Sequence, residues 1–296
     1  MLNDLVALQQ QIEASLKQHL PTSSQIAQPM LDAMSYAVMG GGKRLRPMLA
    51  CASCEAFGGD YKTALPASCA FEFIHAYSLI HDDLPAMDDD ELRHGRASTH
   101  VAFGEANAIL AGDSLHSLAF QSISEAADIS PASKLTIISL LSKAAGWPGM
   151  SGGQCLDIEA EGKVLSLEEL ERLHAAKTGA LIKSSLEVGA LCAEADTDSA
   201  AYKAIGEFGA KIGLAFQVVD DILDVTQTSE VLGKPAGSDE GLNKNTFPRL
   251  LGLEASKKKA ERLLQEALTL LEQHHLKTPL LETLANRAVH LSLIHI

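Results

Sequence analysis

Six acidic side chains, Asp82, Asp83, Asp88, Asp89, Asp90 and Glu91, fall within the segment SLIHDDLPAMDDDELRHG (78–95), directly after an apolar run with helical spacing. Two carboxylates about 5 Å apart repel by roughly 3 kcal/mol at an effective dielectric near 20, so an ordered cluster of this kind needs water or cations. A second acidic group, Asp220, Asp221 and Asp224 in FQVVDDILDV, argues for cations. On a helix Asp220 and Asp224 lie about 40° apart around the axis and Gln217 shares their side. Val218, Val219, Ile222, Leu223 and Val225 cover the rest, so the stripe belongs to a helix that is otherwise apolar.

Asp82 and Asp88 would point about 240° apart on a continuous helix. Pro85 removes that obstacle, because it disfavours helical geometry at Leu84 and lacks an N–H; the turn LPAM can then carry Asp88 back beside Asp82. Each motif offers two or three carboxylates to hard divalent ions. Magnesium fits best, being held by one or two carboxylates with water and substrate phosphates. The spacing excludes an EF-hand. His75 and His81 lie near the first group, but no cysteine accompanies them in a zinc pattern.

Phosphate substrates call for basic residues near glycine-rich turns. GGGKRLRP supplies Lys43, Arg44 and Arg46 after three glycines, in a loop where backbone N–H groups and side chains can meet an anion. Arg93 and Arg96 follow the first acidic group, Lys177 and Thr178 lie in AAKTGALI, and Lys234 and Lys244 follow the second group. There is no G-x-x-x-x-G-K-[ST], hence no P-loop.

The elements that must position these groups are all helical. Ala, Leu, Glu, Gln and Ser dominate, and apolar residues recur at three and four spacings rather than in alternation. The pattern predicts helices over 2–20, 25–39, 44–57, 64–84, 101–128, 132–146, 151–162, 167–193, 198–226, 246–252, 254–275 and from 279 onward. No linker divides them, so one all-α domain over 1–296 is expected. The formal net charge is −14 and basic residues are scattered, which argues against a nucleic-acid or anionic-membrane partner. No stretch approaches eighteen uninterrupted apolar residues, and Asp4 and Glu13 stand where a signal peptide would be basic and then apolar; a soluble cytoplasmic protein is expected. The five cysteines are odd in number, and Cys51-x-x-Cys54 lies in an apolar helical stretch without redox context.

Taken together, GGGKRLRP, HAYSLIHDDLPAMDDD, KTGALI, FQVVDDILD and GKPAGSD resemble the bacterial-type farnesyl diphosphate synthases, short-chain trans-prenyltransferases, over roughly residues 30 to 250. The resemblance implies a single-domain isoprenoid synthase helical bundle, usually a homodimer, with both Asp motifs at the mouth of a deep central apolar pocket. It implies three Mg²⁺ ions held by Asp82, Asp88 and Asp220, with Asp83, Asp221 and Asp224 as neighbours. Arg93, Lys177, Thr178, Gln217 and Lys234 match positions on the allylic diphosphate, and Lys43, Arg46 and His75 match the isopentenyl diphosphate pocket. The implied reaction is head-to-tail condensation of dimethylallyl or geranyl diphosphate with isopentenyl diphosphate, ending mainly at farnesyl diphosphate.

Tyr77 and Ser78 lie about 6 to 7.5 Å down the helix from Asp82, where a growing tail would run. Bulky Tyr77 beside small Ser78 suits a C15 product, and a C10 product stays open. The family usually has Arg-Arg-Gly after its first Asp motif. Here His94 takes the second arginine's place, with a mostly neutral ring and no bidentate fork. Arg96 is expected to substitute if its loop turns inward, and His94→Arg is expected to lower the Michaelis constant for isopentenyl diphosphate. The apolar C-terminus HLSLIHI departs from the family's basic ending and carries no role. A terpene cyclase and a non-catalytic regulatory subunit are the other readings; two intact Asp motifs and the GGGKRLRP site argue against both. A generic acidic calcium-binding helical protein would bind calcium without diphosphate turnover.

Overall fold

A computed structural model describes residues 5–226 and 245–290. The chain runs α1 (Leu5–His19), α2 (Gln28–Val38), α3 (Leu45–Ala56), α4 (Tyr61–Asp82), a hairpin of β1 (Leu92–Arg93) and β2 (Arg96–Ala97), α5 (Thr99–Phe103), α6 (Glu105–Glu125), α7 (Pro131–Ala145), α8 (Met150–Glu159) and α9 (Leu167–His174). A π-helical turn (Ala175–Gly179) leads into α10 (Ala180–Cys192), followed by α11 (Ala200–Thr226), α12 (Phe247–Leu251), α13 (Leu253–Gln273) and α14 (Pro279–His290). The all-α expectation holds.

Two helices form the centre because they are apolar on every side. In α4 the residues Ala67, Ala70, Phe71, Phe73 and Ile74 are all buried, and in α10 so are Leu181, Ile182, Leu186, Val188 and Ala190. A helix buried all round must be enclosed by others. Accordingly α4 packs on α3, α6 and α10, while α11 packs on α10 and α13. One contiguous apolar cluster extends from Leu8 on α1 to Val289 on α14. Local signals mark the helix starts: Asp60 caps α4 through the Lys62 N–H, Ser130 caps α7 ahead of Pro131, and Ser166 with Glu169 closes a capping box on α9.

Two predicted helices are corrected and one unpredicted element is added. The helix expected over 101–128 is broken at Gly104, whose φ of +84° ends α5 and begins α6. The helix expected over 167–193 is interrupted by the π turn. Residues 92–97 form a hairpin that helical periodicity could not reveal; His94 and Gly95 both take positive φ, as the primed turns of tight hairpins require.

Among the described residues no helix is long and apolar enough to cross a membrane. Cys51, Cys54, Cys69 and Cys192 are free and buried. Burial raises the Cys51 thiol and pushes that of Cys54 up to about 12, and both side chains of the C-x-x-C pack inside α3's buried face.

Candidate active site

Helix α4 stops where Pro85 demands it. The Asp88 N–H donates to the Asp82 carbonyl at 2.8 Å and the Met87 N–H to Leu84 at 2.8 Å, so the LPAM turn folds Asp88 back over the helix end, as its sequence predicts. The two carboxylates then feel each other. Burial pushes the Asp82 carboxyl up to about 6; Lys177 and Arg93 pull it down, while Asp88 and Asp83 add to the rise. Asp83 is treated differently. It is 2 % exposed and holds Arg93, whose Nε donates at 2.9 Å and whose Nη2 reaches both Asp83 and Asp90.

The opposite wall is built by the π turn and α11. A π turn adds a residue to the helical circuit and rotates the residues after it, a device common at functional sites. Here it directs Lys177 to Asp157 on α8, with Nζ to Oδ2 at 2.5 Å, and within electrostatic reach of Asp82. The next residue, Thr178, donates to Gln217 Oε1 on α11 at 3.0 Å, and Gln217 Nε2 donates to Asp221 at 3.2 Å. The turn thus bridges the two acidic motifs. Two glycines allow its close approach: a Cβ at Gly153 would lie 2.3 Å from the Lys177 nitrogen, and one at Gly213 would lie 2.9 Å from the Gly179 Cα.

The Asp-Asp pairs share one arrangement. In each, the first residue, Asp82 or Asp220, is half-buried, and the second, Asp83 or Asp221, is sealed against protein donors. Asp221 accepts from Gln217 and from the Phe247 N–H at 2.9 Å, and His174 Nε2 stands 3.8 Å away. His174 stacks on Phe247, and burial lowers its pKa to about 4. Asp224 is also buried. Among the described residues no three His, Cys, Asp or Glu side chains form a ready metal cage. A set of half-buried carboxylates, one of them held up near 6 by burial, fits a hard cation that brings phosphate and water as its other ligands.

Beside this acidic group lies a cationic one. His75 is half-buried on α4, and desolvation followed by the charges of Arg46, His94, Arg93 and Arg44 holds its pKa well below the ordinary value. His94 is lowered by partial desolvation and by Arg93, Arg44 and Lys43. Lys43, Arg46, His75, His94 and Arg93 therefore converge. The Arg46 Nε is buried without a hydrogen-bond partner, as expected of a group awaiting an anion.

Arg44 is corrected: it is a staple rather than an anion contact. Its guanidinium meets Glu13 and Glu72 at 2.7 Å each and the Val38 carbonyl at 2.7 Å, fastening the glycine loop to α1 and α4. Arg96 does not turn inward either. It lies 4.0 Å over the Tyr36 ring, and the Tyr36 hydroxyl secures the hairpin through the Ala97 carbonyl at 2.8 Å.

Tyr77 meets His116 of α6 edge-on at 5.2 Å, while Ser78 hydrogen-bonds back to the His75 carbonyl. Sequence reasoning missed Asp157, His174 and His116. Each lies in an amphipathic stretch whose neighbouring polar residues form no recognisable motif. Lys234, Lys244 and the terminal HLSLIHI beyond His290 lie outside the described residues.

The comparisons identify the family. The polyprenyl synthetase pattern matches residues 27–282. The farnesyl diphosphate synthase of Escherichia coli is 47 % identical over 289 residues, 94 % of this chain and 96 % of that one. The farnesyl diphosphate synthase of Geobacillus stearothermophilus is 50 % identical over 77 % of this chain and 76 % of its own. The crystal structure of a geranyltransferase from Helicobacter pylori, complexed with magnesium and isoprenyl diphosphate, superposes with a TM-score of 0.86 at 34 % identity, covering 98 % of this chain and 97 % of that one. Motif order, helical architecture and these likenesses coincide, and the chain belongs to the polyprenyl synthetase family of prenyltransferases.

Proposed function

We propose that residues 1–296 form one soluble cytoplasmic domain, acting as a homodimer, that condenses dimethylallyl or geranyl diphosphate with isopentenyl diphosphate and ends mainly at farnesyl diphosphate. The observation that carries this reading is that Arg93 stands between a group of carboxylates around Asp82 and Asp83 and a group of basic residues around His75. A diphosphate bound through cations suits the acidic group, and one bound directly by side chains suits the basic group. That asymmetry fits a reaction in which only one diphosphate leaves.

Asp82 and Asp88 on one wall and Asp220 with Asp224 on the other would hold magnesium, three ions being the family's expectation; Asp83 and Asp221 would orient their neighbours. Bound magnesium supplies Lewis-acid stabilisation of charge on the leaving diphosphate. Lys177 and Arg93 add fixed positive charge at the same place, and Thr178 and Gln217 hold the π turn that aims Lys177. Lys234 is assigned to the same diphosphate from its motif alone.

As the allylic C–O bond breaks, C1 becomes cationic. Lys43, Arg46, His75 and His94 keep isopentenyl diphosphate oriented so that its double bond attacks C1, after which the new intermediate loses a proton to the departed diphosphate. An apolar pocket below the two groups, closed from water, would protect the cation. Tyr77, with Ser78 beside it, would limit tail growth.

The test is direct: incubate the protein with Mg²⁺, isopentenyl diphosphate and dimethylallyl diphosphate, then identify the prenyl alcohols after dephosphorylation. C15 product is expected from wild type, with turnover down by at least about 10²-fold in Asp220→Ala at unchanged helical content, the scale of losing charge stabilisation in a transition state. Absence of prenyl transfer, or cyclised hydrocarbon as the product, would refute the reading.

A further inference from the structure

We infer that His116 on α6 is a second determinant of product length, acting as the buttress of a crossbar whose middle is Tyr77. The inference rests on the prenyltransferase reading above and goes beyond it in naming a residue on a different helix. The His116 ring meets Tyr77 edge-on at 5.2 Å and 90°, and Phe120, one turn further along α6, backs His116 at 5.3 Å. On the other side the Tyr77 hydroxyl stands 3.4 Å from Ser151 Oγ on α8. The bar therefore spans α6, α4 and α8.

Tyr77 is held from above as well as from the side. His81 meets it edge-on at 5.5 Å and is tied to the Ile109 carbonyl at 3.1 Å. That imidazole fits only because Gly112 has no side chain; a Cβ there would lie 2.3 Å from His81 Nε2. With an imidazole at each edge, Tyr77 cannot swing aside without displacing a neighbour.

Exposure distinguishes this bar from ordinary core. Phe73 and Ile74 on α4 and Leu115 and Ala119 on α6 are fully buried, whereas Tyr77, His116 and Phe120 all keep accessible surface. They are therefore not sealed into the interface between the helices. A tail that reaches Tyr77 would pass it only if the ring could rotate, and His116 denies that rotation. Burial lowers the His116 pKa, with Asp113 opposing and His81 reinforcing, so the ring is neutral and compatible with an isoprenoid chain.

The experiment compares products of the full-length protein with Mg²⁺, isopentenyl diphosphate and either dimethylallyl or farnesyl diphosphate as starter. His116→Ala should raise the C20 to C15 ratio at least tenfold and accept the farnesyl starter. His116→Phe, which keeps a ring edge, should stop at C15 as wild type does. Tyr77→Ala should extend the product, and Tyr77→Ala with His116→Ala should extend it no further, since both open one bar. Any C15 made by His116→Ala reports a folded enzyme; if it makes none, His116→Gln decides, with C20 expected. An unchanged product from the ring-removing variants while Tyr77→Ala lengthens it, or C20 from His116→Phe, would overturn the role of His116. Wild type making no prenyl product would instead overturn the functional reading.

Discussion

At the scale of single residues, Asp82 is held in a state that costs the folded protein stability. Burial above all raises its carboxyl to about 6, against an ordinary 3.8. The native state thus binds this proton more tightly than the unfolded chain, and the stability it contributes falls as pH rises through the window from about 4 to 6. In metal-free protein Asp82→Asn should melt at a higher temperature than wild type at pH 8, with the advantage closing as pH falls below about 4, while activity is lost; a lower melting point at pH 8 would contradict this. His94 is the other telling residue. It is exposed yet stands near Lys43, Arg44 and Arg93, and partial desolvation followed by those charges lowers its pKa. His94→Arg should lower the Michaelis constant for isopentenyl diphosphate about tenfold, the scale of a charged hydrogen bond regained, with little effect on that for the allylic substrate. Steady-state kinetics with each substrate varied in turn will check it.

At the scale of elements, the π turn is the part on which the two acidic motifs depend. It is wedged between α8 and α11 at two glycines, one of them within 2.3 Å of the turn's backbone once a Cβ is imagined. Gly153→Ala should destabilise the protein by about 1–3 kcal/mol, the usual result of overpacking, and displace Lys177 from Asp157 and Asp82. Turnover should then fall further than stability accounts for, measured well below the melting point. A variant with normal turnover would mean that the position of Lys177 is not set by this contact. The hairpin is the second such element: it delivers Arg93 to the acidic group and parks Arg96 on Tyr36, although the two arginines pair across the same strands.

At the scale of the whole molecule, α5 and α6 present Val101, Ile109 and Leu110 to solvent at 53 %, 42 % and 51 % exposure, although α6 also carries His116 on its inner side. Such a row on helices that pack the core so well on their other face suits a self-complementary contact between two copies. If the proposed homodimer uses this face, Leu110→Glu should convert it from twice 31.4 kDa to a monomer in light scattering coupled to gel filtration. A wild-type monomer, or a dimer unaffected by the charge, would remove these residues from the interface.

The sequence by itself determined the helical class, through apolar spacing, and the two Asp motifs, because the consequence of Pro85 is local: a missing N–H ends α4 and the chain returns Asp88 to Asp82. It also determined which basic segments accompany phosphate chemistry. Tertiary structure alone decided which members of those segments are taken up in internal ion pairs. Arg44 and Arg46 differ only in what surrounds them: Glu13 and Glu72 saturate the one, and the other keeps a buried nitrogen without a partner. Asp82 and Asp83 differ likewise, as do Asp220 and Asp221, and no periodicity announces that Asp157 will meet Lys177 or that His116 will brace Tyr77. The reason is physical. Hydrogen-bond geometry within one turn depends on neighbours in the chain, whereas burial and charge pairing depend on helices that only packing brings together.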